Sequence, residues 1–326
     1  MPGLGDLIYS ACKEGAGWQQ LSDFAQRKDS ASELVIEKYG FGRILRQMCG
    51  FPSWLPLRVM TQHGVSLWNI PNKQEMASPE RFLLVHSRRW LEIYRSHGFD
   101  RAVAIGSPFV MYRRNLADPE VAKARPERGA IFFLSHSTFW EKAEWQKDRL
   151  LAVLDQIRTQ HGSVTVCLHF VDVINGLGQA IFDAGHDIAT AGNYFNSRFP
   201  DNFYRLLFGH EVVYTNSVGS HVFYAVEAQK QVRWVDLPAN YVNIGYNEEV
   251  WKDRLRDRPI ECEVEECLRA GSSKSARLAE ICSDELGLHT LATPDQLRKL
   301  VVSANFHWYT IMALKRQYWR AAKLIQ

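Results

Sequence analysis

One segment joins an apolar strand-like run to a helix-like run through a turn rich in hydroxyl groups and glycine: EVVYTNSVGSHVFYAVEA, residues 211–228. The pattern predicts a strand that ends near Tyr214 and a helix over about 218–228. A strand followed by such a turn and a helix start exposes unpaired backbone N–H groups, which favour an anion. Gly219 would let a phosphate approach the backbone closely, and the hydroxyls of Ser217 and Ser220 would add donors.

The same residues also fit a simpler interpretation. Asn216 or Ser217 can cap a helix through its side chain without any ligand. The turn therefore predicts a helix start, and the anion site remains one of two hypotheses for it.

The runs on either side of this segment alternate between strands and helices. Short apolar runs bounded by turn signals, which are typical of buried strands, occupy 57–61, 82–86, 102–106, 130–134, 164–170, 187–191, 211–214 and 232–237. Amphipathic stretches separate several of them, as at 145–160. The later five runs predict a second open parallel sheet, so the fold class is α/β with two Rossmann-like domains.

The domain boundaries follow from changes in composition. The segment between Asn115 and Gly129 is polar, contains two prolines and has no apolar periodicity, so we expect a linker there. This assigns 1–115 to an N-terminal, abbreviated Rossmann-like domain and 128–285 to a second Rossmann-like domain. The charged remainder, 286–326, is expected to form C-terminal helices.

The composition excludes several classes of protein. With 326 residues, 46% of them hydrophobic and 23% charged, the chain matches an ordinary globular protein, and a net charge of +3 does not call for nucleic acid. There is no P-loop and no G-x-G-x-x-G, which disfavours a kinase or a dinucleotide-dependent dehydrogenase. Without Asp-x-Asp or paired C-x2-C clusters, neither a metal nor a cofactor is expected. The sequence has no signal peptide pattern and no apolar run of about 18 residues, so we expect a cytoplasmic location.

Polar residues that follow the predicted strands are candidates for the site, because ligands of open α/β sheets bind beyond the carboxyl ends of the strands. His63 comes after the first strand and could take a proton from an acceptor hydroxyl, with Gln62 and Gly64 beside it on the acceptor side. A histidine that only packs in the cleft or core is the alternative. After the first strand of the second sheet come Ser135, His136, Ser137 and Thr138.

Several of these motifs resemble one family. TQHGVSL at 61–67, LVHS at 84–87 and IGSP at 105–108 resemble the first-domain landmarks of GT-B glycosyltransferases that use cytidine-nucleotide donors, including CDP-glycerol glycerophosphotransferases. FLSHST at 133–138 is similar to the opening of their second domain. The turn at 215–220 resembles the phosphate-binding turn of bacterial sialyltransferases and Kdo transferases.

The resemblance implies two domains that face each other across a cleft, with His63 as the catalytic base. The donor-binding residues that it implies are Ser135, His136, Ser137, Thr138, Asn216, Ser217, Gly219, Ser220 and Glu227. Glu227 is implied as a ribose contact, although Lys230 and Gln231 stand where the family has Gly and Pro.

The expected function is therefore that of a metal-independent glycosyltransferase. It would move a sugar from a nucleotide donor, with a CMP-sugar such as CMP-Kdo favoured, to a glycan or lipid-linked glycan acceptor in lipopolysaccharide O-antigen or capsule synthesis. The nucleotide sugar is a substrate, so no cofactor is implied. A sugar-nucleotide epimerase or hydrolase, and a non-catalytic polysaccharide assembly protein, are the alternatives.

The C-terminus has a basic amphipathic pattern. Residues 306–326 contain no acidic residue, and their basic residues are Lys315, Arg316, Arg320 and Lys323. Such a helix, with interfacial Trp and Tyr, could lie on the anionic inner face of the cytoplasmic membrane. A closing helix whose aromatic face packs on the domains is the alternative.

Overall fold

The computed structural model describes residues 17–30, 32, 34–115, 128–246, 248 and 258–324, and it describes the side chains of these residues up to 314 except at 74 and 128. The interior of the predicted linker, residues 116–127, lies outside this part of the chain. The polar side chains at 315–323 on which the membrane hypothesis depends also lie outside it.

The first unit is a three-stranded parallel sheet of order β1-β2-β3 with helices around it. Helix α1 (Gly17–Gln26) precedes this sheet but packs on the second unit, where Leu21 and Ala25 join the core around Phe170. The elements of the first unit are a 3₁₀ segment (Val35–Gly40), α2 (Phe41–Cys49), β1 (Met60–Thr61), α3 (Lys73–Met76), β2 (Leu83–Val85), α4 (Arg88–Ser96), β3 (Ala102–Ala104) and α5 (Pro108–Asn115). Helix α4 begins where the Ser87 hydroxyl accepts a hydrogen bond from the N–H of Trp90. Trp90 and Tyr94, one turn apart, then bury the same face of the helix.

The second unit is a five-stranded parallel sheet of order β7-β6-β4-β8-β9. Its elements are β4 (Arg128–Phe133), β5 (Glu141–Glu144), α6 (Lys147–His161), β6 (Val164–Cys167), α7 (Phe170–Ile174), α8 (Gln179–Asp183), β7 (Asp187–Ala189), α9 (Phe199–Phe208), β8 (His210–Thr215), α10 (Ser220–Glu227), β9 (Gln231–Trp234) and β10 (Asn240–Asn243). The central strands are buried on both faces, which is why they read as continuous apolar runs. Strands β5 and β10 form a separate antiparallel pair that the sequence did not predict.

Helices complete the chain. They are α11 (Pro259–Ala270), a 3₁₀ turn (Gly271–Lys274), α12 (Ser275–Glu285), a second 3₁₀ turn (Leu288–Thr290) and α13 (Pro294–Leu324). Helix α13 packs on the first unit, where Asn305 accepts from the backbone N–H of Arg58 and donates to the carbonyl of Pro56. No helix among the described residues has the length and apolar composition needed to cross a membrane.

The two sheets share one hydrophobic core. The largest cluster of buried side chains includes Leu84 from the first sheet, Val213 and Phe223 from the second unit, and Leu297 from α13. The α/β class, the two Rossmann-like parallel sheets and the C-terminal helices are thus confirmed. Helix α10 begins at Ser220, two residues later than expected, and Val218 is buried in the turn that precedes it.

Candidate active site

The turn between β8 and α10 is held by its own hydrogen bonds. The Thr215 hydroxyl donates to the carbonyl of Ser217 at 2.7 Å and accepts from the N–H of Ser217 at 3.2 Å. Gly219 occupies the N-cap position in an extended conformation, and no side chain caps the helix. The first turn of α10 therefore presents backbone N–H groups that have no intrahelical partner, which is the chemistry of an anion site.

The first unit touches this turn directly. The backbone N–H of Val65 donates to the Ser220 hydroxyl oxygen at 2.9 Å. Gly64 adopts a positive φ of 66°, and a Cβ there would come within 2.6 Å of the same oxygen. The His-Gly turn and the Ser/Gly turn, which the sequence placed in different domains, are thus neighbours in the structure.

His63 is exposed to the cleft formed at this contact. The edge of the Tyr39 ring lies against it, with ring centroids 4.8 Å apart. Although the imidazole has accessible surface, protein atoms surround it, and desolvation followed by the charges of Lys38 and His136 lowers the pKa of His63 to about 4. The imidazole is consequently neutral at physiological pH and free to accept a proton.

Two histidines of the second unit face His63. His136 and His169 stack with ring centroids 4.3 Å apart. Nδ1 of His136 donates to the carbonyl of Ser137 at 3.0 Å, which leaves Nε2 as an acceptor in the neutral ring. Burial, then His136 and His63, lowers the pKa of His169 well below its ordinary value, so the His169 imidazole is uncharged at physiological pH.

His221, in the first turn of α10, stabilises the turn between β8 and α10 through a hydrogen bond to Thr215. Its Nε2 lies 2.8 Å from the Thr215 hydroxyl, and because that hydroxyl donates to Ser217, the imidazole N–H is the donor. The ring stacks on Phe133 at 5.0 Å. Burial and the nearby His136 lower the pKa of His221 to about 3, so the imidazole is uncharged and serves as a hydrogen-bond donor to Thr215.

The other polar residues predicted to contact the donor lie deeper. Ser135 and Asn216 are buried together: the Ser135 hydroxyl oxygen accepts from Trp145 Nε1 at 2.8 Å and from Asn216 Nδ2 at 2.9 Å. The Ser137 hydroxyl accepts from the N–H of Ala143 at 3.0 Å. The hydrogen bonds of these three side chains are made within the protein, so they stabilise the turns of the site.

Thr138 and Gln62 also have internal partners. The Thr138 hydroxyl accepts from the N–H groups of Trp140 and Glu141, which closes the turn into β5. The amide oxygen of Gln62 accepts from the N–H of His86 at 3.0 Å, and the Gln62 side chain is buried behind His63. Gln62 therefore lies next to His63 but beneath the surface of the cleft, and its acceptor-side role stays a prediction.

Glu227 lies away from the Ser217–Ser220 turn and is engaged by two arginines, whereas the family resemblance implies a ribose contact. It is the last residue of α10, about 10 Å from Ser220 at the rise of an α-helix. Its carboxylate accepts from the guanidinium groups of Arg113 at 2.7 Å and Arg114 at 2.9 Å, and only 2% of its side chain is exposed. Glu227 instead joins α10 to α5 of the first unit.

Sequence reasoning missed one contributor to the site. Lys38 and Tyr39 lie in the 3₁₀ segment that precedes α2, and they reach the cleft beside His63. The available signal was weak: it is Gly40, the N-cap of α2, whose positive φ of 71° is a conformation that glycine adopts without strain. Among the described residues, no group of three or more His, Cys, Asp or Glu side chains is arranged to hold a metal ion.

Comparisons with known proteins complete the description. No family model and no curated protein matches the chain. Among solved structures, a variant of the wall teichoic acid polymerase TagF is similar at 13% identity and a TM-score of 0.46, covering 78% of this chain and 69% of that one. S. aureus TarM, solved with Fondaparinux, alpha-GlcNAc-glycerol and UDP, is similar at 12% identity and a TM-score of 0.32, covering 80% and 50%.

A second structure of TarM gives 12% identity and a TM-score of 0.32, with coverage of 82% and 53%. The chain thus spans about half the length of the two TarM structures. Likeness of this degree leaves family and activity to be argued from the site itself.

Proposed function

We propose that the chain is a metal-independent glycosyltransferase that moves a sugar from a nucleotide donor to a glycan acceptor. One observation carries the proposal: the turn that bears His63 touches Ser220, the first residue of the anion-favouring helix, across the two sheets. A group that accepts a proton and a site that holds a phosphate are needed side by side in glycosyl transfer, because the acceptor hydroxyl attacks as the phosphate leaves.

The donor phosphate would lie at the start of α10. The Ser220 hydroxyl oxygen accepts from Val65, so its own O–H remains available to donate to a phosphate oxygen. Ser217 adds a second hydroxyl and Gly219 leaves room for close approach. Preorganised N–H and O–H donors offset the charge that develops on the leaving phosphate, and they need no metal to do so.

His63 would be the base for the acceptor. Its neutral imidazole can take the proton of an acceptor hydroxyl. With a pKa of about 4, the imidazole of His63 is a weak base in the protein without donor. Binding an anionic donor nearby raises that pKa, since an opposite charge stabilises the imidazolium form, so base strength would rise once the donor is bound.

The finer assignments extend this proposal. A cytidine donor such as CMP-Kdo, and a product in O-antigen or capsule, follow from the resemblance of 61–67, 105–108 and 215–220 to the GT-B family. Residues 1–115 would serve the acceptor, 128–285 the nucleotide sugar, and 286–326 would close the structure.

A lipid-linked acceptor at the inner membrane face is a separate part of the proposal. Helix α13 leaves Phe306, Tyr309 and Leu314 exposed, with 72% of Phe306 accessible. On its other side Arg58 stacks on Trp308 at 3.7 Å, which ties the helix to the first unit. One face of α13 thus packs against the first unit, and the exposed apolar face could contact a membrane surface.

The decisive experiment supplies nucleotide sugars with and without a glycan acceptor. A transferase releases nucleotide rapidly only when acceptor is present, an epimerase converts the sugar without one, and an assembly protein does neither. The melting temperature in CMP, CDP, UDP and GDP identifies the nucleotide beforehand, because a ligand that binds the folded state stabilises it. If no nucleotide raises the melting temperature, the proposal fails.

A further inference from the structure

Lys38 is a half-buried cation in the cleft. Its ammonium lies over the ring of Tyr194, 5.1 Å from the centroid, and its charge is close enough to His63 to lower the pKa of that imidazole. Burial lowers the pKa of Lys38 itself, and no carboxylate counteracts this effect among the described residues. A partly desolvated cation without a counter-ion is costly to maintain, which is characteristic of a group that awaits an anionic ligand.

The backbone around Lys38 is held in an uncommon conformation. The following residue, Tyr39, has a positive φ of 55°, which is strained for a bulky side chain. Its N–H donates to the carbonyl of Tyr194, and Gly40 packs so closely that a Cβ there would lie 2.6 Å from the carbonyl oxygen of Ser197. Packing against the second unit therefore fixes the position of Lys38.

Ring contacts locate Lys38 between the histidines of the two units. A continuous series of neighbouring rings crosses the cleft: His63 to Tyr39 at 4.8 Å, Tyr39 to Tyr194 at 6.2 Å, Tyr194 to Phe170 at 4.9 Å, and Phe170 to His169 at 4.5 Å. Because Lys38 lies over Tyr194, it stands in the middle of this series.

The position of Lys38 differs from that of the phosphate turn. Tyr194 follows β7, the outermost strand, whereas the Ser217–Ser220 turn follows β8. In the order β7-β6-β4-β8 the ends of these two strands are three places apart, which is about 14 Å at the usual strand spacing, so the two positions lie beyond different strands. A lysine at Tyr194 and a helix start at Ser220 can therefore bind two different anionic groups.

We propose that Lys38 binds an anionic group of the substrate, a carboxylate or a phosphate, that is distinct from the donor phosphate at the start of α10. The inference rests on the proposed function, since both anions would occupy the same cleft. The shared chemistry has two sources: a carboxylate on the transferred sugar, or a phosphate on the acceptor.

Inorganic phosphate is the first probe. Calorimetric titration of phosphate into the protein is performed without nucleotide and again with a saturating amount of the nucleotide that most raises the melting temperature. The variants are Lys38→Met, Lys38→Arg and, as a matched control, Lys28→Met. Lys28 is exposed and lies over the neighbouring Phe195 ring at 5.7 Å.

The nucleotide-saturated protein is expected to bind phosphate, and Lys38→Met should weaken that binding about tenfold or more, the usual loss for a charge-assisted hydrogen bond. Lys38→Arg should retain binding and Lys28→Met should match the wild type. The melting temperature of Lys38→Met should equal or exceed that of the wild type, because an unpaired charge is removed. Phosphate that nucleotide displaces, or that binds Lys38→Met as well as wild type, would overturn the inference.

Transfer assays then separate the two sources of the anion. A loss in Lys38→Met confined to carboxylate-bearing donors assigns the group to the sugar, and a loss confined to phosphorylated acceptors assigns it to the acceptor. An equal loss with every substrate pair, charged or neutral, contradicts substrate recognition by Lys38. If no nucleotide binds at all, the proposed function fails, while the titration without nucleotide still reports whether Lys38 holds phosphate.

Discussion

The contact between Gly64 and Ser220 is tested by replacing the glycine with alanine. Gly64 has a left-handed backbone, and an added Cβ would lie 2.6 Å from the Ser220 hydroxyl oxygen, which is closer than Cβ atoms approach oxygen. The alanine must therefore displace the Ser220 hydroxyl from its position beside Val65. Gly98 offers a matched control, because its φ of 76° is equally left-handed and nothing lies within 4 Å of the Cβ position.

The free energies of unfolding of the two variants can be estimated from these contacts. Placing alanine in the left-handed region costs about 1 kcal/mol, and both variants carry this cost. Gly64→Ala also breaks the hydrogen bond from Val65 to Ser220, which adds about 1 kcal/mol. We expect Gly98→Ala to lose about 1 kcal/mol and Gly64→Ala about 2 kcal/mol.

Urea unfolding and kcat/KM for glycosyl transfer distinguish the two effects. Gly98→Ala should have normal kcat/KM, since its strain lies far from the cleft. Gly64→Ala should lower kcat/KM by about 10²-fold, because a displacement of about 1 Å of the Ser220 hydroxyl would misalign the phosphate that it is proposed to hold beside His63. Equal stability and equal kcat/KM in the two variants would refute the idea that this contact assembles the site.

Three further predictions concern separate parts of the molecule. Burial raises the pKa of Glu75 to about 7 from 4.5, so between these pH values the folded state keeps a proton that the unfolded chain has lost. The free energy of unfolding, measured in urea, should therefore fall by about 3 kcal/mol as the pH rises from 4.5 to 7. Glu75→Gln should abolish this dependence on pH. A slope that persists in the variant contradicts this. The double variant Ser217→Ala, Ser220→Ala should weaken nucleotide binding by about 1.5 to 3 kcal/mol per lost bond in calorimetry, with Ser273→Ala on an exposed turn as control, and unchanged affinity removes the phosphate role. The protein should co-sediment with anionic vesicles at low salt and lose this when Arg316, Arg320 and Lys323 become Gln, whereas absence of binding leaves α13 as a closing helix.

The sequence predicted the parallel sheets well because of how they are buried. The strands of the second sheet are covered on both faces, so 130–134 and 211–214 are continuous apolar runs that any pattern search finds. Strands β5 and β10 escaped detection because Glu141–Glu144 is EKAE and Asn240–Asn243 is exposed, so neither has an apolar pattern. Their pairing depends on contact between distant parts of the chain, which local strand propensity does not predict.

The candidate site was predictable only at the ends of strands. His63, Gly64, Ser217 and Ser220 follow β1 and β8, where ligand-binding residues are expected from topology, and the structure brings Gly64 and Ser220 into contact. The placement of Glu227 was not predictable, because the two arginines that bind it come from α5, more than 100 residues earlier. Lys38 enters the cleft through a strained turn, and backbone strain imposed by packing leaves no local pattern.

Acceptor-dependent turnover of His63→Ala tests the central claim most directly. With the nucleotide sugar and acceptor that the wild type uses, His63→Ala should release nucleotide about 10²-fold or more slowly, since a general base contributes at least this factor. The affinity for nucleotide should be unchanged, because in the proposed function α10 holds the phosphate. His97→Ala, an exposed histidine of the same unit, should behave as wild type. Near-normal acceptor-dependent turnover in His63→Ala would contradict the account and leave His63 as a cleft-lining residue.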